Sequence, residues 1–182
     1  MGDAGETRAL RLAATATKWL EDVSVDREGH VHPAVATGGQ ALTALATAGA
    51  RVSLAEPGRV VCSLRVRAPL TDAEGRWHAG AIAAAADNVC AAAVFTVLGA
   101  DVVTVQYGLS YFSPAHHDVR SQHSAEEVEM DGRVVGRKGK MVAVTVEVRK
   151  KESGELVASC RQWMAPIQLT TKSNTSTSSS KL

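Results

Sequence analysis

The chain contains 182 residues, of which 45% are hydrophobic and 21% charged, and its formal net charge at pH 7 is +1. This length favours one domain with tails and leaves little room for two. The composition is that of a soluble globular protein, and the near-neutral charge argues against a general nucleic-acid-binding protein.

The N-terminal part of the chain predicts two helices joined by a loop. Residues 7–23 have the spacing of an amphipathic helix, which we expect to pack on the outside of the domain. One broad face of this helix can carry Leu10, Leu12, Ala13, Ala16, Trp19 and Leu20. The loop at residues 26–39 contains His30 and His32, but two histidines without clustered Cys, Asp or Glu are weak evidence for a metal site, so none is predicted. A short helix at residues 40–48 follows.

Two strands are predicted next, at residues 50–55 and 58–67. The segment Glu56-Pro57-Gly58 predicts the turn between them. In the second strand, apolar residues alternate with others, which is typical of a strand with one buried face. Residues 68–77 contain Pro, Asp and Gly and therefore predict a connecting loop.

Residues 78–95 predict the helix around which the rest of the domain is organised. This stretch has almost no polar face, and a helix that is apolar on all sides is normally buried. It is rich in alanine, so neighbouring backbone can approach it closely, and Gly99 is predicted as its C-cap. The exception is Asp87, because an unpaired carboxylate inside such a helix is costly unless a partner binds it or a reaction uses it. The alternative is an ion-paired aspartate of the core.

Three or four long strands are predicted after this helix, at residues 102–112, 118–130, 134–150 and 156–165. The pair Asp131-Gly132 predicts a hairpin turn, and Glu152-Ser153-Gly154 predicts a second one. Val142, Val144, Val146 and Val148 fall on one side of their strand. A helix followed by hairpin-linked strands indicates an antiparallel α+β domain and not a parallel α/β one.

The cysteines and the apolar runs indicate in which cellular compartment the protein is expected. Cys62, Cys90 and Cys160 lie far apart without a CxxC pair, and the N-terminus carries no secretory signal. We therefore expect three reduced, buried thiols in an intracellular protein. No membrane span is predicted, because no apolar run reaches the roughly 18 residues that a span needs.

From residue 170 onward the chain consists largely of Thr, Ser, Lys and Asn, which cannot bury enough apolar surface to become ordered. Its last three residues, Ser180, Lys181 and Leu182, match the tripeptide that a peroxisomal import receptor reads. The alternative is a chance ending of a low-complexity tail. We expect a peroxisomal protein that is also found in the cytosol if import is incomplete.

The spacing of His78 and Asp87 predicts a site that one chain cannot build from these two residues alone. Nine residues place them on opposite sides of a helix and about 13 Å apart along it. The partner of Asp87 must then come from elsewhere in the fold or from a second copy of the chain. The first backbone N–H groups of the helix, at Ala79, Gly80 and Ala81, are suited to bind a developing oxyanion. Together with a carboxylate that activates water or attacks directly, these N–H groups are the catalytic groups that acyl transfer to water requires.

Four stretches resemble a known family. They begin at Pro57 (PGRVVC), at Trp77 (WHAG, with Asp87-Asn88 following), at Leu109 (LSYFSPA) and at Gly139 (GKMVAVT). In this order they are similar to hot-dog-fold acyl-CoA thioesterases, in the branch of acyl-CoA thioesterase 13 and the phenylacetate-pathway thioesterases. The resemblance covers about residues 40–167.

This resemblance implies a hot-dog fold, an antiparallel sheet of five to six strands wrapped around a long helix, here with an extra N-terminal helix. The predicted parts are then residues 1–39 with the N-terminal helix, residues 40–168 as the thioesterase domain, and residues 169–182 as the tail. It also implies a homodimer that forms the active site, paired into a homotetramer. Coenzyme A is part of the substrate, so no cofactor is expected.

The resemblance further implies the catalytic roles. The residue at the position of Asp87 is the general base or nucleophile and faces the helix start of the other subunit. The residue at the position of His78 orients the site, and the N–H of the residue after it polarises the thioester carbonyl. Here that residue is Ala79, where the family usually has Gly, and Thr104 matches a residue that assists the water.

One departure from the family concerns the water-positioning residue. Six residues before the histidine the family branch has Asn, whereas this chain has Asp72, so the two carboxylates can shift one pKa of the pair or hold the water differently. Reduced activity or altered substrate choice can follow.

Coenzyme A carries phosphates, so a basic patch is expected. Arg137, Lys138 and Lys140 are its candidates, and Lys140 matches a family lysine. His116 follows a turn that we place close to the same edge. The alternative for the cations is a solvated hairpin turn, because charge runs usually only improve solubility.

These features predict an enzyme of fatty acid metabolism that hydrolyses a medium- to long-chain acyl-CoA. Two alternatives remain open: an acyl-CoA-binding protein with weak catalysis, and a thioesterase for aryl-CoA.

Overall fold

The computed structural model describes residues 3–21, 41–117 and 125–167. His30, His32, the tripeptide at residues 180–182 and residues 118–124 of one predicted strand lie outside these ranges. The helices and strands are α1 (Asp3–Glu21), α2 (Ala41–Ala46), β1 (Arg51–Glu56), β2 (Arg59–Arg65), α3 (Ala79–Leu98), β3 (Val102–Tyr111), β4 (Glu127–Lys138), β5 (Met141–Lys150) and β6 (Leu156–Pro166). A short 3₁₀ turn, Ala68–Leu70, precedes α3.

The six strands form one antiparallel sheet in the order β1-β2-β4-β5-β6-β3, and the sheet curves around α3. The predicted hot-dog fold is therefore confirmed. The helix is buried on several sides, and the four valines at positions 142, 144, 146 and 148 of β5 all lie in the core, as predicted. Gly99 ends α3 in the left-handed conformation, with φ at 66°. All three cysteines are buried and free, and burial raises the pKa of the Cys62 thiol to about 12.

The prediction of a hairpin at Asp131-Gly132 was wrong. Both residues lie in the middle of β4, where Gly132 pairs with Val60 on one side and Val146 on the other. The chain turns at Gly139 instead, where φ is 61°. Asp131 is kept in a strand by Arg59 and Arg133, whose guanidinium groups both bind its carboxylate. Although partial burial opposes the effect, these cations hold the pKa of Asp131 below its ordinary value.

Gly132 is required for close packing against α3. A Cβ at this position would lie 2.8 Å from Cγ1 of Val89 and 3.3 Å from its carbonyl oxygen, and the carbonyl oxygen cannot move without shifting the helix. We expect Gly132→Ala to lower the free energy of unfolding by about 1–3 kcal/mol because of this overpacking. Denaturant unfolding measures the change. Gly136→Ala in the same strand is the matched control, since its Cβ would meet no atom within 4 Å; equal effects of the two variants would contradict the packing argument.

The N-terminal helix packs on the outer side of α3 and is held at both ends. Ala13, Ala16 and Leu20 are buried, whereas Leu10 is 66% exposed and does not belong to the predicted apolar face. Arg8 donates to the carbonyl of Leu98 at the end of α3, and Glu21 accepts from the N–H of Val52 at the start of β1. The helix is therefore part of the domain and not a separate appendage.

The expectation that no apolar run is long enough to span a membrane was wrong for α3. Its 20 residues are long and apolar enough by length and composition, although 61% of its most apolar window is buried inside the domain. The buried core helix of a globular domain meets the same test. The sheet that covers α3 accounts for its apolar composition.

Candidate active site

His78 is the N-cap of α3 and its ring is fixed by the helix that it starts. Its Nδ1 accepts a hydrogen bond from the N–H of Gly80 at 3.0 Å, so a neutral ring carries its proton on Nε2. Its own N–H donates to the carbonyl of Leu70 at 2.8 Å. The absence of a Cβ at Gly80 gives the ring its space, since that atom would lie 3.2 Å from Nδ1.

These bonds reduce the number of backbone donors that are available at the helix start. The N–H of Gly80 is taken by the His78 side chain, and the N–H of Ala81 donates to the His78 carbonyl at 2.9 Å. Within the described part of the chain, the N–H of Ala79 has no acceptor. Of the three N–H groups predicted to bind an oxyanion, only that of Ala79 is therefore available.

Three side chains of β3 bind one stripe of α3. Tyr111 donates to the carbonyl of Ala79 at 3.0 Å, and Tyr107 donates to the carbonyl of Ala83 at 2.7 Å. Thr104 donates to Oδ1 of Asp87 at 2.8 Å. The three acceptor residues follow each other at four-residue intervals, which is one face of a helix. The strand β3 therefore runs along the face of α3 that presents Asp87.

A β-bulge directs Thr104 toward this face. Side chains alternate between the two faces of a strand, so residues three apart would normally point in opposite directions. The register of β3 against β6 shifts between Thr104 and Gln106, which inserts Val105 as an extra residue. Such bulges re-aim side chains next to active sites. The bulge allows Thr104 and Tyr107 to contact the same helix.

Asp87 is half-buried and has no cation partner among the residues that the structure describes. Its Oδ1 accepts from Thr104, and no Lys, Arg or His of the described segments lies within the 4.0 Å of an ion pair. Its Oδ2 accepts no hydrogen bond from these segments. The alternative of an ion-paired core aspartate is not supported, and the carboxylate has a free oxygen for a water or a substrate. The following residue, Asn88, has a structural role, because its amide donates to the carbonyl of Thr43 in α2 at 3.1 Å.

Gln162 is a site residue that the sequence analysis missed. It is fully buried on β6, its Oε1 lies 3.4 Å from Oγ1 of Thr104, and its Nε2 has no partner in the described structure. The single hydroxyl proton of Thr104 goes to Asp87, so the two oxygens are both acceptors. Turning the Gln162 amide by 180° lets Nε2 donate to Oγ1 of Thr104 and removes the contact between two acceptors. The signal in the sequence is its place in the alternation of β6, where Gln162 falls on the buried face together with Ala158, Cys160 and Met164.

Within one protomer, the two ends of the predicted site do not meet. The helix is continuous from Ala79 to Leu98, so the available N–H of Ala79 and the carboxylate of Asp87 are about 12 Å apart along it. One protomer supplies a carboxylate with its hydroxyl partners at one place and an oxyanion donor at another.

Asp72 lies in the loop before α3, where both of its oxygens are engaged. Oδ1 accepts from the backbone N–H groups of Glu74 and Arg76, and Oδ2 binds the Arg76 guanidinium at 2.8 Å. Although desolvation opposes the effect, these bonds hold the pKa of Asp72 below its ordinary value. Asp72 therefore shapes its own loop, and the raised pKa considered for an Asp72–Asp87 pair is not found at Asp72.

The basic candidates and His116 lie at opposite ends of the sheet, contrary to the sequence-based expectation. Arg137 pairs with Val142, Val142 with Met164 and Met164 with Thr104, so Arg137 is in the same row as Thr104 and about 14 Å from it. The exposed Lys138 and Lys140 flank the turn at the same end. His116 lies near the start of α3 instead.

Local contacts hold His116 in place. Its N–H donates to Glu126 at 2.7 Å, and its ring lies 3.8 Å from the same carboxylate. Among the described residues, no cluster of three His, Cys, Asp or Glu could hold a metal ion.

The chain is similar to known proteins. A family model described as a domain of unknown function (DUF4442) matches residues 36–165. The chain is 33% identical over 109 residues to acyl-coenzyme A thioesterase 13 of Homo sapiens and of Pongo abelii, which covers 59% of this chain and 72% of each relative.

Solved structures show the same fold. Zebra fish thioesterase superfamily member 2 superposes with a TM-score of 0.62 at 24% identity, covering 74% of this chain and 91% of the other. The PaaI protein of the E. coli phenylacetic acid degradation operon gives 0.58 at 17% identity, with 66% and 80% covered. A hypothetical thioesterase of Streptococcus pneumoniae, solved with coenzyme A, gives 0.58 at 19% identity, with 65% and 85% covered.

Proposed function

Since the chain belongs to the family of hot-dog-fold acyl-CoA thioesterases, we propose that it hydrolyses medium- to long-chain fatty acyl-CoA in a site that two subunits build together. Thioester hydrolysis itself follows from the family. The observation that carries the two-subunit site is the separation, on one helix, of two groups: a carboxylate that has no cation partner among the described residues and a backbone N–H that has no acceptor among them.

The strand β3 is the surface through which the second subunit binds. It is the last strand of the sheet and, among the described strands, pairs only with β6, so its outer backbone groups have no strand partner in the described segments. Val103, Val105 and Phe112 are 49%, 57% and 61% exposed, respectively, on or next to this strand. A long exposed apolar edge strand is a template for pairing with another chain. Two copies of β3 related by a two-fold axis would pair antiparallel.

Such pairing brings the separated halves of the site together. In an antiparallel pair, the Tyr111 end of one β3 lies next to the Val102 end of the other. Tyr111 contacts Ala79 at the start of α3, and Thr104 contacts Asp87. Ala79 of the partner subunit therefore approaches Asp87. The symmetry produces two equivalent sites per dimer.

The chemistry then follows from the groups at each site. Asp87 accepts a proton from a water molecule at its free Oδ2 while the water oxygen attacks the thioester carbon. The N–H of Ala79 from the second copy donates to the oxyanion. The carbon–sulfur bond breaks, and the thiolate of coenzyme A takes up the proton. Direct attack by the carboxylate, through an anhydride, is the second route that this geometry allows.

The basic residues at the β4–β5 turn are suited to the phosphates of coenzyme A. Arg137 lies in the row of Thr104, about 14 Å from it, and Lys138 and Lys140 are exposed beside Arg137, so three cations are available at this end of the sheet. The pneumococcal relative was solved with coenzyme A, and a protein of Streptococcus mutans with a similar fold (TM-score 0.56) was solved with acetyl-CoA.

A panel of acyl-CoA substrates tests this proposal. The purified protein is expected to release free coenzyme A, measured with a thiol reagent, with the highest kcat/KM on medium- to long-chain substrates. Highest activity on phenylacetyl-CoA would favour the aryl alternative. Binding of acyl-CoA without turnover of any substrate in the panel would favour the binding protein and refute the enzyme.

The cellular site and the higher assembly remain predictions. The tripeptide at residues 180–182 supports peroxisomal import, which a reporter fused ahead of the intact tail would test. Pairing of two dimers into a tetramer is expected from the family resemblance and is tested by light scattering in solution. The absence of a cofactor likewise remains a prediction.

A further inference from the structure

A cavity of about 400 Å³ lies between the N-terminal helix, α3 and the start of β3. Its walls include Ala16 and Trp19 of α1, Ala91 and Phe95 of α3, and Val102 of β3. Small-molecule pockets in proteins commonly have volumes of about 300–1,000 Å³. The cavity is therefore large enough for part of a ligand.

The cavity continues the stripe of α3 that contains Asp87. The residues of this stripe follow at intervals of four: Ala79, Ala83, Asp87, Ala91 and Phe95. Ala91 lies one helical turn, about 6 Å, beyond Asp87. On the other wall, Val102 precedes Thr104, which binds Asp87, by two residues. The nearest lining residue of α3 thus lies one helical turn beyond the candidate carboxylate, on the side away from the start of the helix.

The lining of the cavity favours hydrocarbon. Alanines at positions 16, 91 and 92 create the space, and Trp19 and Phe95 supply apolar walls. The hydroxyl of Thr15 is already bonded to the carbonyl of Arg11 at 2.9 Å, and the other polar residue, Asp101, is exposed. No cation of the described residues lines the cavity, so it has no group that would bind a phosphate or a carboxylate.

We propose that this cavity receives the distal part of the acyl chain and that α1, through Trp19, forms the wall that limits chain length. This inference rests on the proposed function, since it places the carbonyl of the substrate at Asp87. It gives the N-terminal helix a role in substrate choice. Each methylene buried there contributes roughly fourfold to binding.

Variants of the cavity wall change the chain-length profile. Ala91→Leu fills the space and is expected to lower kcat/KM for palmitoyl-CoA at least about tenfold, while butanoyl-CoA, whose chain is too short to fill the cavity, changes less than about twofold. Trp19→Ala widens the cavity and is expected to shift the optimum to longer chains. Leu10→Ala is the matched control, because Leu10 is exposed on the same helix and is not part of the lining. Equal effects of Ala91→Leu on both substrates, or an unchanged profile in both cavity variants, would overturn the proposal.

A binding experiment separates this proposal from the proposed function. A fatty acid brominated at its terminal carbon is expected to quench the fluorescence of Trp19, and Trp19→Phe is expected to remove the quenched component while Trp77 and Trp163 remain. Quenching without turnover of any acyl-CoA would refute the enzyme and support the cavity. Turnover of long-chain acyl-CoA without quenching would refute the cavity and support the enzyme.

Discussion

Asp87→Asn is expected to lower kcat/KM for acyl-CoA hydrolysis by about 10³-fold, within the 10²–10⁴-fold range that general acid–base catalysis contributes. Asparagine preserves the size of the side chain and can still accept a hydrogen bond from Thr104, but it can neither take a proton from water nor attack the carbonyl. A direct nucleophilic role would produce a loss at least as large. Steady-state release of coenzyme A from the best substrate of the panel measures the effect.

Two controls distinguish lost chemistry from lost structure. The variant is expected to unfold at a denaturant midpoint no lower than that of wild type, because no ion pair of Asp87 is broken in the described structure. Glu152→Gln, which removes a carboxylate from the exposed turn between β5 and β6, is expected to retain full activity. A folded Asp87→Asn variant with more than about a tenth of wild-type kcat/KM would refute the role of Asp87.

Ala79→Pro is expected to lower kcat by about 10²–10³-fold, the usual loss when one oxyanion donor is removed. Proline deletes the N–H of Ala79 and no other hydrogen bond, since that group has no acceptor within the described residues. Proline is favoured at the first position of a helix. His78, with φ −63° and ψ 133°, already has the extended conformation that a residue before proline prefers. Ala79→Gly retains the N–H and is the matched control, with activity expected near that of wild type.

Mixing the two inactive variants tests whether the site spans two subunits. If it does, a dimer of one Asp87→Asn subunit and one Ala79→Pro subunit contains one site in which both groups are intact. Random re-association makes half of the dimers mixed, so about a quarter of wild-type activity is expected to return. If both groups of a site came from the same chain, neither subunit could provide a complete site, and the mixture would remain inactive.

Much of the fold could be predicted because it depends on local pattern. The alanine-rich helix, its C-cap at Gly99 and the alternation of valines in β5 each follow from neighbouring residues. Asp131-Gly132 shows the limit of such reasoning. The pair has the composition of a turn, but the carboxylate of Asp131 binds two arginines, Arg133 in β4 and Arg59 in β2. Gly132 lacks a side chain because Val89 of a distant helix packs on it.

The candidate site could be predicted only where it depends on local pattern and not on contacts between distant parts of the chain. Asp87 is conspicuous in the sequence because it is charged among alanines. Gln162 is not, because its importance depends on Thr104 lying opposite it on a different strand, and the bulge that turns Thr104 toward α3 is a property of strand register. The sequence predicts His116 close to the same edge as Arg137, yet strand pairing places them at opposite ends of the sheet.

By itself, the sequence determined the position of the core helix, that one carboxylate stands alone in it, and that this carboxylate and the start of that helix cannot cooperate within one chain. These results follow from the spacing of residues along regular backbone, which fixes faces and distances inside each element. Only the tertiary structure decided that the N–H groups of Gly80 and Ala81 are already occupied, that Gln162 lies against Thr104, and that α1 lines a cavity one helical turn beyond Asp87. The last two depend on which residues from distant parts of the chain come within a few ångströms of one another, and strand register and packing control that.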